Sequence, residues 1–99
     1  MSEIIISRNH GLTLKKAKQA AERIAAEMAE EFDIDYEWNG DRIDFSRTGV
    51  CGSIAVHKKH VEIHAKLGLM LMMLRSKIEH EIHRFCDENF GPQTGVLRR

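Results

Sequence analysis

The chain has 99 residues, a length that suggests one folded domain with a thin core. Its 15 basic and 15 acidic side chains cancel, which excludes the strongly basic character typical of nucleic-acid-binding proteins. No apolar run approaches the roughly 20 residues that span a bilayer, and the N-terminus lacks the pattern of a signal peptide. We therefore expect a cytoplasmic protein with no transmembrane segment and no nucleic-acid partner.

A short strand and a long helix begin the chain. Residues 3–8 are predicted to form a strand in which Ile4 and Ile6 share one face. Thr13 is a residue type that favours the N-cap of a helix. The helix that follows has apolar residues at spacings of three or four, namely Leu14, Ala17, Ala21, Ile24, Met28 and Phe32. We expect this stripe to pack on a sheet.

The middle of the chain is predicted to form four antiparallel strands joined by three two-residue turns. The turns are placed at Asn39-Gly40, Thr48-Gly49 and Lys58-Lys59, of which the first is the strongest hairpin signal. With these turns, apolar residues share one face of the sheet, and a one-residue slip would break that agreement. The predicted opposed pairs are Tyr36–Ile43, Ile34–Phe45, Phe45–Gly52, Ile43–Ile54, Ile54–Ile63, Val56–Val61 and Val50–Leu67.

The final helix carries a second apolar stripe. At about 100° per residue, one arc contains Leu71, Leu74, Ile78, Ile82 and Phe85. The predicted fold is α+β, with an antiparallel sheet in β-α-β-β-β-β-α order and both helices packed on one face. The first strand is placed at the sheet edge beside the fifth strand. We expect residues 1–91 to form this single domain and residues 92–99 to form a flexible C-terminal tail.

The start of the last helix contains the candidate apolar contact surface, which consists of Leu69, Met70, Met72 and Met73. Met72 and Met73 fall outside the core arc, and Met70 lies at its edge. Three interpretations are open. Other parts of the chain, such as Ile5 and the first loop, could cover the methionines. They could instead form a homodimer contact, or bind lipid, polymer or the apolar groove of a partner.

Two groups of histidines are candidate metal ligands. In residues 80–83 the histidines are three apart, whereas the zinc protease motif needs a spacing of four. Solvated helix pairs are expected there instead, namely Glu79–His83, His83–Asp87 and Arg84–Glu88. The outer face of the last hairpin carries His57, His60 and His64 with Glu62. These residues could bind a metal ion weakly, but a solvent-facing strand surface explains them more simply.

The remaining residues give no catalytic motif. Cys51 and Cys86 are expected to be free thiols, because they form no CxxC pair and no metal-binding spacing. The chain has neither a glycine-rich phosphate loop nor a nucleophile elbow. We therefore predict that the protein is not an enzyme and has no catalytic residues, no cofactor and no metal site.

Several segments together resemble a known family. They are Trp38-Asn39-Gly40-Asp41-Arg42 with Phe45, Ser46-Arg47-Thr48-Gly49-Val50 with Gly52, and Leu67-Gly68-Leu69 leading into Leu71, Leu74 and Lys77-Ile78-Glu79. In order and spacing, these turn and core residues are similar to the polyhydroxyalkanoic acid system family over about residues 3 to 90. The resemblance implies a small bacterial protein associated with polyhydroxyalkanoate storage, and it carries over no site residues.

Two hypotheses of function follow from the resemblance and the element order, and the histidines leave a third. The first is a non-enzymatic accessory or binding protein that contacts the polyhydroxyalkanoate granule or its proteins through the apolar surface. The element order also resembles a reduced START-like helix-grip fold, so the second is a small module that holds a fatty or hydroxyacyl ligand between helix and sheet. The third, an enzyme or metal protein using the histidines, would require stoichiometric metal in the purified protein.

Overall fold

The chain folds into one antiparallel sheet covered on one face by two helices. The computed structural model describes residues 2–90. Its elements are β1 (Ser2–Asn9), α1 (Leu14–Phe32), β2 (Asp35–Asn39), β3 (Arg42–Arg47), β4 (Val50–Val56), β5 (His60–Leu67), a 3₁₀ segment (Leu69–Leu74) and α2 (Arg75–Phe90). This order confirms the predicted α+β fold. The expected tail at residues 92–99 lies outside the described residues.

The strand order in the sheet is β1-β5-β4-β3-β2. As predicted, β1 lies at the edge beside β5, and Ile6 opposes Ile63. The second and third hairpins have the predicted registers, in which Ile54 opposes both Ile43 on β3 and Ile63 on β5. Gly49 has a φ of 90°, a conformation that its turn requires and that glycine adopts without strain. Two of the three predicted hairpins are therefore confirmed.

The first hairpin turns one residue later than predicted. Asn39 pairs with Arg42, so the two turn residues are Gly40 and Asp41 rather than Asn39 and Gly40. Gly40 has a φ of 65°, and Asp33 is the only non-glycine residue in the range 2–90 with a positive φ. Glycine with positive φ at the first turn position and a negative φ at the second is the pattern of a type II′ turn. The structure thus avoids placing Asn39 in the left-handed region.

This change moves every opposed pair of the first hairpin by two residues. Tyr36 lies opposite Phe45, and Trp38 lies opposite Ile43. The predicted pairs of Tyr36 with Ile43 and of Ile34 with Phe45 were wrong. A shift of two residues keeps the same side chains on the same face, because successive residues of a strand alternate between faces. The inner apolar face was therefore predicted correctly although the pairing was not.

Helix α1 begins at the predicted cap. The Thr13 side-chain oxygen accepts a hydrogen bond from the backbone N–H of Lys16 at 3.2 Å, which satisfies one of the free donors at the helix start. The helix ends where Asp33 takes a left-handed conformation with a φ of 58°. Its buried residues are Ala17, Ala20, Ala21, Ile24, Ala25 and Met28. Small alanines let the helix approach the inner face of the sheet closely.

A buried arginine joins β1 to α2. Because Ile4 and Ile6 face the core, the alternation of the strand also turns Arg8 inward. Its guanidinium donates to the carboxylate of Asp87 at 2.8 Å and to Nδ1 of His83 at 2.9 Å. His83 and Asp87 were predicted to pair with each other, but each accepts a hydrogen bond from Arg8 instead. Sequence reasoning missed this role of Arg8. The alternation of inward and outward side chains along β1 was the signal that could have predicted the inward position of Arg8.

The exposed pairs along α2 agree only in part with the prediction. Arg84 pairs with Glu88 at 3.0 Å, as predicted, and also with Glu81 at 2.6 Å. Glu79 was predicted to pair with a histidine, but it lies 3.5 Å from Arg75 one turn earlier. A guanidinium is always charged, so it is a better partner for a carboxylate than a neutral imidazole is.

Candidate functional site

Within residues 2–90, the most exposed apolar segment precedes α2. Met73 is 93% exposed, Leu69 78%, Leu74 47% and Met72 40%. We call these four residues the methionine surface. The side chain of Met70, which belongs to the predicted surface, lies outside the described part of the chain. The other three predicted residues, Leu69, Met72 and Met73, lie in one short 3₁₀ segment that precedes α2, whereas the sequence placed them at the start of the α-helix.

Residues 2–90 leave Met73 and Leu69 largely uncovered, and they cover about half of Met72 and Leu74. The interpretation that other parts of the chain, such as Ile5 and the first loop, cover the methionines fails for Met73, which is 93% exposed. Ile5 is itself 67% exposed, and its position in β1 turns it to the outer face of the sheet. Isolated apolar side chains are ordinary at protein surfaces, but several in one short segment are typical of a contact site.

The geometry of this segment explains why Leu74 is not in the core stripe. The segment is a 3₁₀ helix that starts after Gly68, where the Leu71 N–H donates to the Gly68 carbonyl at 3.0 Å. At its end, the N–H of Arg75 donates to the carbonyl of Met72. A 3₁₀ helix has about 3.0 residues per turn, so the 100° spacing of an α-helix misplaces side chains here. The predicted burial of Leu74 was wrong for this reason.

An apolar cleft lies beside the methionine surface, between α2, the end of α1 and the inner face of the sheet. Its volume is about 260 Å³. Its apolar walls are Met28, Phe32, Ile34, Phe45, Val50, Ala65, Leu71, Leu74, Ile78 and Ile82. Leu74 belongs to both features, because it lines the cleft and is half exposed. The cleft therefore opens next to the methionine surface.

Three charged side chains complete the cleft lining. They are Glu31 on α1, Arg47 at the end of β3 and Lys77 on α2, and all three are exposed. The Nη1 group of Arg47 donates to the carbonyl of Phe32 at 2.7 Å, which holds the guanidinium against the end of α1. Two cations and one carboxylate give this rim a net positive charge, which favours an anionic group on a ligand.

The histidine group on the last hairpin has the predicted register. His57 opposes His60 across the turn, and their rings stack with centroids 4.4 Å apart. The Nε2 atom of His57 lies 3.3 Å from a carboxylate oxygen of Glu62. His64 is not part of this group, because it lies opposite Ser53 and contacts Glu3 at 3.1 Å. His57, His60 and Glu62 are thus near enough for a shared ligand, while ring stacking and the contact between His57 and Glu62 account for their positions.

The two aromatic residues of β2 are joined to α1 through one carboxylate. The hydroxyl of Tyr36 and the indole N–H of Trp38 each donate to Glu22 at 2.6 Å. The hydrogen bond to Glu22, followed by burial and the charge of Glu22, raises the pKa of Tyr36. Both rings are partly buried against the core, and they serve the contact between the sheet and α1.

Comparison with known proteins places the chain in a family. The family model described as "Putative polyhydroxyalkanoic acid system protein" matches residues 4–90. The chain belongs to the polyhydroxyalkanoic acid system protein family. No curated protein and no solved structure matches it. Within residues 2–90, neither helix of this polyhydroxyalkanoic acid system protein combines the length and apolar character needed to cross a membrane.

The two cysteines of this polyhydroxyalkanoic acid system protein are free thiols, as predicted. Cys86 is a buried residue of α2, and burial raises the pKa of its thiol to about 11, although the nearby charge of Arg8 acts in the opposite direction. A thiol with a raised pKa is a poor nucleophile at neutral pH. Cys51 is exposed on the outer face of β4, on the opposite side of the sheet from the cleft.

Proposed function

We propose that the protein is a non-enzymatic binding protein of the polyhydroxyalkanoate storage system. It adsorbs to the granule through the methionine surface. The single observation that carries this proposal is the exposure of Met73, together with Leu69 and Met72, in a family member linked by its description to polyhydroxyalkanoic acid. A storage polymer presents an apolar phase to which such a surface can bind.

The energetics of adsorption support this assignment. Burial of one large apolar side chain contributes about 1.5–3 kcal/mol. Thioether side chains are flexible and adapt to an irregular surface, which suits a polymer better than a single shaped partner. A few such side chains would give reversible binding of a folded domain, in the manner of an interfacial amphipathic helix.

The non-enzymatic part of the proposal is supported by the surroundings of the reactive groups. The thiol of Cys86 is buried and has a raised pKa. The ring nitrogens of His10 bond to the backbone of Leu12 and His57, so this buried histidine serves to hold the loop after β1. His83 is bonded to Arg8. Each of these groups therefore has a structural explanation.

Co-sedimentation with purified polyhydroxyalkanoate granules tests the proposal. The double substitution Met72→Gln and Met73→Gln keeps side-chain length but adds polar groups, so we expect at least a tenfold loss of granule affinity, which corresponds to about 1.4 kcal/mol or more. Ile5→Gln is the matched control, since Ile5 is an exposed apolar residue on the opposite sheet face. It should leave granule binding unchanged.

Two results would contradict the proposal. Equal granule binding by the wild type and the Met72→Gln, Met73→Gln protein would show that the methionine surface does not bind the granule. A measurement of the protein's mass in solution tests the homodimer interpretation. If the double substitution converts a dimer into a monomer while granule binding is retained, the methionine surface is a subunit interface instead.

The apolar cleft supports a second candidate function. In this alternative, the protein is a small helix-grip module that binds an apolar ligand between α2 and the sheet. A volume of about 260 Å³ is near the lower end of the range for small-molecule sites. Saturable binding of an apolar small molecule in the cleft would favour this function, and a cleft that excludes every such molecule would contradict it.

A further inference from the structure

This inference rests on the second candidate function, in which the cleft binds an apolar ligand. The size and lining of the cleft limit which ligands can fit. If a methylene group fills about the volume of a water molecule, roughly 30 Å³, then a cleft of about 260 Å³ holds a chain of about eight carbon atoms. The wall residues are aliphatic, aromatic or thioether side chains, which offer no hydrogen bonds to the buried part of a ligand. An unbranched alkyl chain matches both properties.

The charges at the rim indicate the head group. Arg47 donates one hydrogen bond to the carbonyl of Phe32, which fixes its position and leaves other N–H donors of the guanidinium available. The ammonium of Lys77 makes no hydrogen bond or ion pair within residues 2–90, and acts only at longer range on Glu81. A fixed guanidinium and a free ammonium that line the same cleft can each bond to the carboxylate of a ligand.

We propose that the cleft binds an alkanoic acid of medium chain length, with the chain between α2 and the sheet and the carboxylate at Arg47 and Lys77. Glu31 is the single acid at the same rim, so the two cations retain a net positive charge toward the ligand. Leu74 stands at the opening, where the cleft meets the methionine surface. An acid held in this way is related in chemistry to the monomer units of the polymer named by the family.

The methionine methyl groups provide a site-specific measurement. Met28 lines the cleft, whereas Met73 is exposed outside it. In protein with isotope-labelled methionine methyl groups, titration with octanoate should shift the Met28 signal saturably and leave the Met73 signal almost unchanged. Butanoate, which is too short to fill the cleft, and octanol, which lacks the charge, should each bind at least tenfold more weakly.

Substitutions test the head group separately from the chain. Lys77→Met should weaken octanoate binding about threefold to tenfold, in line with one partly exposed charge-assisted contact, and leave octanol binding unchanged. Lys66→Met is the matched control, because Lys66 is an exposed cation on the outer face of β5. It should have no effect on either ligand.

The outcomes separate this inference from the function on which it rests. If octanol shifts Met28 as strongly as octanoate does, the carboxylate assignment is wrong while ligand binding stands. Equal effects of Lys66→Met and Lys77→Met would also overturn the assignment, since they would indicate a non-specific charge effect. If no probe shifts Met28, or if Met73 alone responds, both the inference and the second candidate function fail.

Discussion

The ring of Phe45 lies over Gly52, its opposed residue on the neighbouring strand. A Cβ atom at position 52 would come within 2.7 Å of Cζ of Phe45 and would also collide with the backbone carbonyl of His64. Gly52 therefore lets an aromatic ring lie flat against the inner face of the sheet. The predicted pairing of Phe45 with Gly52 is confirmed.

We predict that Gly52→Ala lowers the free energy of unfolding by at least about 2 kcal/mol, because the collision involves backbone as well as a packed ring. Chemical denaturation followed by fluorescence of the single tryptophan, Trp38, measures this change. Gly11→Ala is the matched control, since a Cβ there meets nothing within 4 Å. It should change stability by less than about 0.5 kcal/mol. Equal effects of the two substitutions would contradict the packing argument.

Arg8 should contribute more to stability than exposed arginines do. Arg8→Met keeps most of the aliphatic stem but removes the bonds to Asp87 and His83, so we expect a loss of about 1–3 kcal/mol. Arg84→Met, which removes two exposed ion pairs, should cost less than about 1 kcal/mol. Denaturation of both variants at neutral pH makes the comparison. A larger loss for Arg84→Met would show that Arg8 does not hold α2 against β1.

The bond between Tyr36 and Glu22 should make stability depend on pH in the alkaline range. The pKa of Tyr36 is raised above its ordinary value of 10.0, chiefly by this hydrogen bond, so the folded state favours the protonated phenol. The stabilisation is therefore fully present below pH 10 and is lost as the pH rises through the folded-state pKa. Wild type should lose stability above pH 10 more steeply than Tyr36→Phe.

The pKa of Tyr36 can be measured directly, because the chain has one tyrosine. The absorbance of the phenolate in folded protein should report a pKa above that of free tyrosine. Glu22→Gln should bring this pKa back toward the ordinary value, since it removes the charge and weakens the acceptor. An unchanged titration curve in the Glu22→Gln protein would show that the bond is not formed in solution.

Most of the fold follows from the alternation of apolar residues and from turn chemistry. These two signals predicted the last two hairpins, because apolar residues must share one face. They did not fix the first hairpin, where Asn39-Gly40 suggested one register and the chain adopts another. Registers that differ by two residues satisfy the same alternation, so the choice depends on the turn conformation of Gly40.

The candidate site could be predicted in composition but not in shape. The place of Met72 and Met73 outside the helical stripe indicated that they lie outside the core, and left open whether another part of the chain covers them. The half-exposed position of Leu74 and the cleft beside it depend on a 3₁₀ start to the helix, which residue spacing alone does not indicate. The buried contact of Arg8 was missed because charged residues are expected at the surface, although its strand position pointed inward.

The pairing of β1 with β5 has a consequence for the order of folding. Ser2 lies opposite Leu67, whereas the hairpins between β2 and β5 join residues that are close in sequence. Closing the long loop between the first strand and the fifth carries a large entropic cost before any contact is gained. We expect strands β2 to β5 to form first. During synthesis, β1 should remain unpaired until β5 has left the ribosome.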